Sequence, residues 1–203
     1  IELFKTLEEK IGNLNVIAED LGLLTDTVLE LVAETGFPGM KVLQFAFDDN
    51  EDSAYLPHRY DRNCIVYTGT HDNETTKGWF RNQNKHDHEF TLEYTGCEDR
   101  SEDECVWGLI RMALSSVAEY CVIPVQDYLC LGNEARMNEP STLGDNWKWR
   151  MKKGQLTDEI LKKIRRMTKI YGRSCLVEEP EEESEEETVL EEEKRGSHYG
   201  RTE

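Results

Sequence analysis

Near its start the chain reads Asn15-Val16-Ile17-Ala18-Glu19-Asp20-Leu21-Gly22, an apolar run that leads directly into two carboxylates and a glycine. A buried parallel strand is typically a short apolar run, and polar residues with a turn-forming glycine mark its end. Side chains that follow the C-terminal end of such a strand lie where α/β barrels and open α/β sheets carry their chemistry. The alternative is an acidic pair that only caps a loop.

A second stretch of the same design follows further along the chain. It reads Ile65-Val66-Tyr67-Thr68-Gly69-Thr70-His71-Asp72-Asn73, an apolar strand with a polar end. With a third strand predicted at residues 40–47, Glu19 and Asp72 would lie on one rim of a sheet. Glycoside chemistry uses two carboxylates that face each other across a sugar ring, one of them kept protonated. The pair of strand ends is compatible with such chemistry, although it is not in itself a motif.

Hydrophobic periodicity predicts strands that alternate with helices along the chain. Residues 81–104 are charged and poor in aliphatic side chains, so we predict a loop there with about one helical turn. The alternation favours an α/β fold, in which a parallel sheet is covered by helices. Strands are predicted at residues 15–18, 40–47, 64–68 and 121–125, and helices at residues 2–11, from 25 or 26 to 35, around Trp79 and Phe80, from 103 or 104 to 120, and at 159–171.

Composition restricts the class of partner. The 203 residues carry a net charge of −18, which disfavours nucleic acid and anionic membranes but is compatible with neutral sugars. The six cysteines fit no zinc-binding spacing, so we expect reduced thiols in a cytoplasmic protein. We expect neither a membrane span nor a signal peptide. His86 and His88 suggest a metal site, but a solvated polar loop is the favoured interpretation.

A known family has three motifs that are similar to stretches of this chain and occur in the same order. The stretches are residues 17–22, 36–47 and 67–73. They resemble the amylomaltases, which are 4-α-glucanotransferases, also called disproportionating enzymes, related to the α-amylase superfamily. The likeness extends to about Cys175. It implies transfer of α-1,4-glucan segments to glucose or a maltooligosaccharide by a retaining double displacement, without a cofactor.

The resemblance also assigns roles to individual side chains. Glu19 matches the general acid/base and Asp72 the carboxylate that stabilises the transition state, while His71 matches a ligand of sugar hydroxyls. Asp20 is either a strand-end cap, a partner for an Arg, or a sugar contact, and these remain open. Further candidates for substrate subsites are Gln44, Phe45, Asn146 and Trp147.

Four strand–helix units amount to half of an eight-stranded barrel. The resemblance implies a partial (β/α)8 TIM barrel, about strands five to eight, over residues 1–176. Residues 177–203 contain twelve Glu against three Lys or Arg, and we predict a disordered acidic tail because they bury too little apolar surface to offset their ordering entropy.

One departure from the family pattern concerns the nucleophile. The family's attacking Asp belongs to an Arg-x-Asp-type strand end before the acid/base, and residues 1–18 contain no Asp. With no initiator Met at Ile1, we expect a fragment that lacks the nucleophile, is inactive alone and has the upstream half of the same enzyme as a partner. The alternatives are an α-glucan hydrolase of the same superfamily, and a non-catalytic glucan-binding or interaction fragment.

Overall fold

The structure is a computed structural model of the 203-residue chain, and it describes residues 1–22, 24–48 and 52–174. Within it, Ile1–Arg173 form one compact unit. The predicted acidic tail, residues 177–203, lies outside the described residues, so it stays a prediction.

A three-stranded parallel sheet organises this unit. Its strands are β1 (Gly39–Val42), β2 (Cys64–Tyr67) and β3 (Tyr120–Val122), and they lie side by side in the order in which they occur in the chain. Gly39 pairs with Cys64 at one boundary and Ile65 with Tyr120 at the other. A single parallel bridge joins Ala18 to Gly39 on the free side of β1. The predicted parallel arrangement is therefore confirmed.

The strands are shorter than the apolar runs that predicted them. Of residues 15–18 only Ala18 pairs, and Ile17 is 47% exposed, so a strand over the whole run is wrong. The run 40–47 leaves the strand after Val42 and continues as a 3₁₀ turn, Leu43–Ala46, because packing of this apolar segment does not require extended backbone. The predicted strand 121–125 ends at Val122, since Pro124 has no amide hydrogen to give to a sheet.

Helices follow the strands as predicted in most places. They are α1 (Glu2–Ile11), α2 (Asp26–Thr35), α3 (Thr76–Asn82), α4 (Lys85–Thr95), α5 (Glu102–Ser115), α6 (Val125–Tyr128) and α7 (Asp158–Ile170). The side chain of Thr75 accepts a hydrogen bond from the amide of Gly78 and caps α3. Ser101 and Glu104 form a capping box that begins α5.

Helix α4 lies where a loop was predicted, so that prediction is wrong. Its ends carry standard signals, because Asn84 accepts a hydrogen bond from Asp87 at the start and Gly96 adopts a left-handed conformation at the end. It packs on the core with aromatic side chains, Phe90 and Tyr94, rather than with an aliphatic stripe. A pattern based on aliphatic periodicity therefore misses it. Helix α5 ends at Ser115, five residues before the predicted end.

The main core lies between the 3₁₀ turn, β2 and α5. It buries Leu43, Phe47, Val66, Leu109 and Ala113 almost completely. A second cluster joins α5 to α7 through residues such as Ile110 and Met167. This packing fixes the sheet and so places the segments that follow its strands.

Two further findings concern the described residues. No helix among them is both long and apolar enough to cross a membrane. Five cysteines among them are free, namely Cys64, Cys97, Cys105, Cys121 and Cys130.

Candidate active site

The candidate site lies at the C-terminal edge of the parallel sheet. Because the strands run in the same direction, the segments that follow Ala18, Val42, Tyr67 and Val122 emerge at one edge. All of the predicted site residues except Asn146 and Trp147 belong to these segments.

Asp72 is the most clearly oriented carboxylate of the predicted set. Its side chain is 49% exposed, and Oδ1 accepts a hydrogen bond of 2.6 Å from Asn138 Nδ2. His71 Nε2 lies 3.3 Å from the same oxygen. Arg136 donates a 2.8 Å hydrogen bond to the Asp72 backbone carbonyl. Among the described residues nothing hydrogen-bonds to Oδ2, so this oxygen can receive a hydroxyl from a ligand.

The turn that carries Asp72 is held by its own side chains. Asn73 Oδ1 accepts hydrogen bonds from the Thr70 amide and hydroxyl at 2.9 and 2.7 Å. The Asp72 amide in turn donates to Thr70 Oγ1 at 3.2 Å. Asn and Thr side chains stabilise turns in this way, which explains why the polar end of the second stretch folds back after β2.

An aromatic surface lies beside the carboxylate. The rings of His71 and Trp147 are 5.0 Å apart at 40°, and Trp147 is half exposed. The Trp147 backbone is left-handed, with φ 64, and its amide donates to the Met137 carbonyl at 2.6 Å. An exposed indole next to hydrogen-bonding groups is the type of surface on which a sugar ring can dock.

Asn146, the neighbour of Trp147, is used within its own loop. Its Oδ1 accepts from the Glu139 amide at 2.9 Å, and its Nδ2 donates to Thr142 Oγ1 at 3.1 Å. The structure therefore shows Asn146 shaping the segment that presents Trp147. These hydrogen bonds do not test its predicted contact with substrate, which stays a prediction.

Glu19 and Asp20 separate into two environments. Glu19 is exposed. Burial raises the pKa of Tyr67, and the negative charge of Glu19 raises it further. This electrostatic effect means that the Glu19 charge lies near Tyr67, the last residue of β2. Asp20 Oδ1 accepts a 2.6 Å hydrogen bond from the Met40 amide. This bond supports the interpretation of Asp20 as a cap that fastens its segment to β1.

Gln44 and Phe45 belong to the 3₁₀ turn after β1. Gln44 is buried, and its Nε2 donates to the Glu74 carbonyl at 3.0 Å, so it braces the far end of the Asp72 turn. Phe45 is half-buried and packs edge-on against Tyr55, with ring centroids 5.5 Å apart. Lys41 lies over the other ring of this pair, 5.5 Å from the Tyr55 centroid.

Three residues near Asp72 were not predicted from the sequence. Arg136 and Asn138 contact it directly, and Asp127 is a buried carboxylate that holds the Asp72 turn. Burial raises the pKa of Asp127, and hydrogen bonds from Thr68 and Thr76 lower it by less. The signal for Asp127 was its place directly after the fourth strand run, where Gln126 and Asp127 repeat the carboxylate-after-strand design.

The two histidines considered as metal ligands lie on α4. His88 Nδ1 is 3.2 Å from the Phe80 carbonyl, and its ring packs on that of Phe80. Among the described residues no group of three or more His, Cys, Asp or Glu is placed to hold a metal ion.

Comparison with known proteins gives consistent results. The family model described as 4-alpha-glucanotransferase, glycosyl hydrolase family 77, matches residues 1–157. The 4-alpha-glucanotransferase of Clostridium butyricum is 50% identical over 174 residues, which cover 85% of this chain and 35% of the relative. The 4-alpha-glucanotransferase of Thermus thermophilus is 45% identical over 177 residues, with the same coverage of both chains.

A solved structure supports the same relationship. The amylomaltase from Streptococcus agalactiae in complex with acarbose superposes with a TM-score of 0.80 and 38% identity, covering 86% of this chain and 35% of that one. This similarity confirms the predicted α/β class. The chain spans about a third of the length of the curated relatives that it matches.

Proposed function

The chain belongs to the 4-alpha-glucanotransferase family, glycosyl hydrolase family 77, and on this basis we propose that its residues form part of an enzyme that transfers α-1,4-glucan segments to glucose or a maltooligosaccharide. The observation that carries the proposal is the Asp72 carboxylate at the C-terminal edge of the sheet, with one oxygen fixed by Asn138 and the other unengaged by the described residues. Beside it stand the hydrogen-bonding ring of His71 and the exposed indole of Trp147.

We propose a retaining double displacement for this site. Glu19 protonates the leaving sugar and later removes a proton from the acceptor hydroxyl. Asp72 holds ring hydroxyls more tightly as the sugar flattens towards the transition state, with His71 as a second ligand. Gln44, Phe45 and Trp147 line the adjoining subsites, where apolar and aromatic side chains would shield the covalent intermediate from water.

The attacking carboxylate is the part of the mechanism that we do not assign to this sequence. Residues 1–18 contain no Asp. We therefore assign the nucleophile to a strand that precedes residue 15 in a complete (β/α)8 barrel. The segment at Ala18 and strands β1–β3 would then be barrel strands five to eight. A cytoplasmic location is part of the same proposal and is supported by the five free thiols.

The decisive experiment is a chimera. The 174 matched residues of the Clostridium butyricum relative are replaced by the corresponding residues of this chain, and products from maltotriose are separated. We expect glucose together with chains longer than maltotriose, whereas a hydrolase would give glucose and maltose.

Glu19→Gln in the chimera then tests the assignment of the acid/base. It keeps the size of the side chain but removes the titrating proton, so transfer should fall roughly a hundredfold to ten-thousandfold. The matched control is Glu9→Gln, because Glu9 is an exposed residue on α1. Near-normal transfer by Glu19→Gln would refute the assignment, and an inactive chimera would refute the proposed function.

A further inference from the structure

Asp127 is a fully buried carboxylate for which the proposed reaction has no use. It is 1% exposed and lies on the short helix α6, which follows β3. Removing a carboxylate from water is costly unless hydrogen bonds compensate for the lost hydration. The positions of its hydrogen-bond donors therefore indicate what the residue does.

Among the described residues, the groups that donate hydrogen bonds to the Asp127 carboxylate belong to the two ends of one segment. Thr68 directly follows β2 and donates its hydroxyl to Oδ2 at 2.6 Å. Thr76, the first residue of α3, donates its amide to Oδ1 at 2.8 Å and its hydroxyl to Oδ2 at 2.7 Å. One carboxylate thus fixes both ends of the segment that carries His71 and Asp72. We call these three residues, Thr68, Thr76 and Asp127, the clamp.

Gln126, the residue before Asp127, holds the segment that hydrogen-bonds to Asp72. Gln126 is buried, and its Nε2 donates to the Ala135 carbonyl at 3.3 Å. Beyond Ala135 the chain presents Arg136 and Asn138, which hydrogen-bond to the carbonyl and the carboxylate of Asp72. Two consecutive side chains of α6 therefore hold the segment that carries Asp72 and the segment that hydrogen-bonds to it.

We propose that Asp127 is a positioning residue for Asp72, acting through the clamp and together with Gln126. The hydrogen bonds of the clamp set the place of the Asp72 turn, and the Gln126 bond sets the place of its partner Asn138. The catalytic consequence rests on the proposed function, but the positioning itself does not, so the two can be tested separately.

The positioning is tested on the chain itself by NMR. The probe is the side-chain amide of Asn138, which donates to Asp72 Oδ1, and its resonance in Asp72→Ala defines the state without this bond. Thr76→Val removes one hydroxyl of the clamp at nearly constant shape, and Thr76→Ser keeps that hydroxyl. The matched control is Thr91→Val, since Thr91 is equally buried and accepts a hydrogen bond from Gln83 at 2.8 Å, away from Asp72.

We expect the Asn138 resonance to shift towards its Asp72→Ala position in Thr76→Val, and to stay near the wild-type position in Thr76→Ser and Thr91→Val. An unchanged resonance in Thr76→Val, or an equal shift in Thr91→Val, would overturn the proposal. If Thr76→Val does not fold, Thr68→Val removes the other hydroxyl and is judged by the same criterion.

The catalytic consequence is measured in the chimera. A small displacement of a group that contacts the reacting sugar costs rate rather than affinity, so Thr76→Val should lower kcat roughly tenfold to a hundredfold with little change in KM. An NMR shift with unchanged kcat would refute the role of Asp72 in the proposed function and leave the positioning intact. An unchanged NMR spectrum refutes the positioning whatever the rate.

Discussion

At Asp72 the two carboxylate oxygens have different surroundings. Oδ1 is shared by Asn138 and His71, and Oδ2 has no hydrogen-bond partner among the described residues. A carboxylate held by one oxygen cannot rotate freely, so the other oxygen points in a defined direction. Such a group is suited to contacts that strengthen as a ligand changes shape.

This asymmetry leads to a prediction about Asp72→Asn. The substitution keeps the shape but removes the charge, and one of the two terminal groups becomes a donor. In the chimera we expect kcat to fall roughly a hundredfold while KM changes little, because the lost contact is one made in the transition state. Steady-state kinetics on maltotriose measures both constants.

The control for this prediction is Asp61→Asn, which removes the same charge from an exposed residue before β2. A rise in KM with unchanged kcat in Asp72→Asn would make Asp72 a ground-state ligand instead.

At the scale of elements, the segment that carries Glu19 has little sheet pairing to hold it. Ala18 makes one bridge to Gly39, and the next fastening is the bond from the Met40 amide to Asp20. The Asp20 carboxylate lies directly over the Cα of Gly39, where any side chain would collide with it. The position of Glu19 therefore depends on a glycine in the neighbouring strand.

We accordingly predict that Gly39→Ala displaces the Glu19 segment. A Cβ at this position would meet Asp20 Oδ2 and lie 2.9 Å from Asp20 Cγ, so the carboxylate must leave the Met40 amide. We expect a loss of roughly 1–3 kcal/mol in the free energy of unfolding, from the lost hydrogen bond to a charged group. Urea unfolding of the chain measures it.

Gly108→Ala on α5 provides the comparison for Gly39→Ala. The added methyl group there meets only Cys97 Sγ, at 3.0 Å, and a helix favours alanine over glycine. If Gly39→Ala were as stable as Gly108→Ala, Asp20 would not be the fastening of its segment.

The elements also show which features the sequence could predict. Helices α1 and α2 and the order of the strands follow from local patterns, because apolar spacing and caps lie within about ten residues of each other. Helix α4 does not follow from aliphatic spacing, because it packs on the main core through Phe90 and Tyr94 and has a single aliphatic contact, Leu92, with another cluster. Strand ends were misjudged because an apolar run has the same appearance in a strand and in a buried 3₁₀ turn.

Within the candidate site, the sequence does not predict contacts between residues that are far apart in the chain. Glu19, His71 and Asp72 were found because strand-end position and family resemblance both indicate them. Asn138 lies 66 positions from Asp72, and Asp127 lies 51 from Thr76. Contacts of this length leave no periodic pattern in the sequence, so only the fold reveals them.

At the scale of the whole molecule, the pH dependence of stability carries a contribution from Asp127. Burial raises the pKa of its carboxyl above the ordinary 3.8. Below pH 3.8 the group is protonated in both the folded and the unfolded chain. As pH rises through the raised folded-state pKa, only the folded chain bears the penalty of a buried charge, so the stability that the protonated group contributes is lost.

The prediction is that wild type loses stability relative to Asp127→Asn as pH rises from 4 to 7, since the amide does not titrate. Melting temperatures of both proteins across this range isolate the effect, because other groups contribute equally to both. A constant difference would mean that the hydrogen bonds of the clamp cancel the effect of burial on the pKa, and a change in the opposite direction would mean that they outweigh burial and lower the pKa.

The order of the strands in the sheet has a consequence for how the chain is made. Each strand pairs with the one synthesised before it, so the sheet can grow at one edge while the ribosome is still translating. Between β2 and the completion of α5, however, synthesis takes on the order of several seconds. During this interval Phe47 and Val66 lack the cover of Leu109, with which they share a core. The nascent chain therefore exposes an apolar surface at a defined point of its synthesis, and such a surface favours aggregation until α5 covers it.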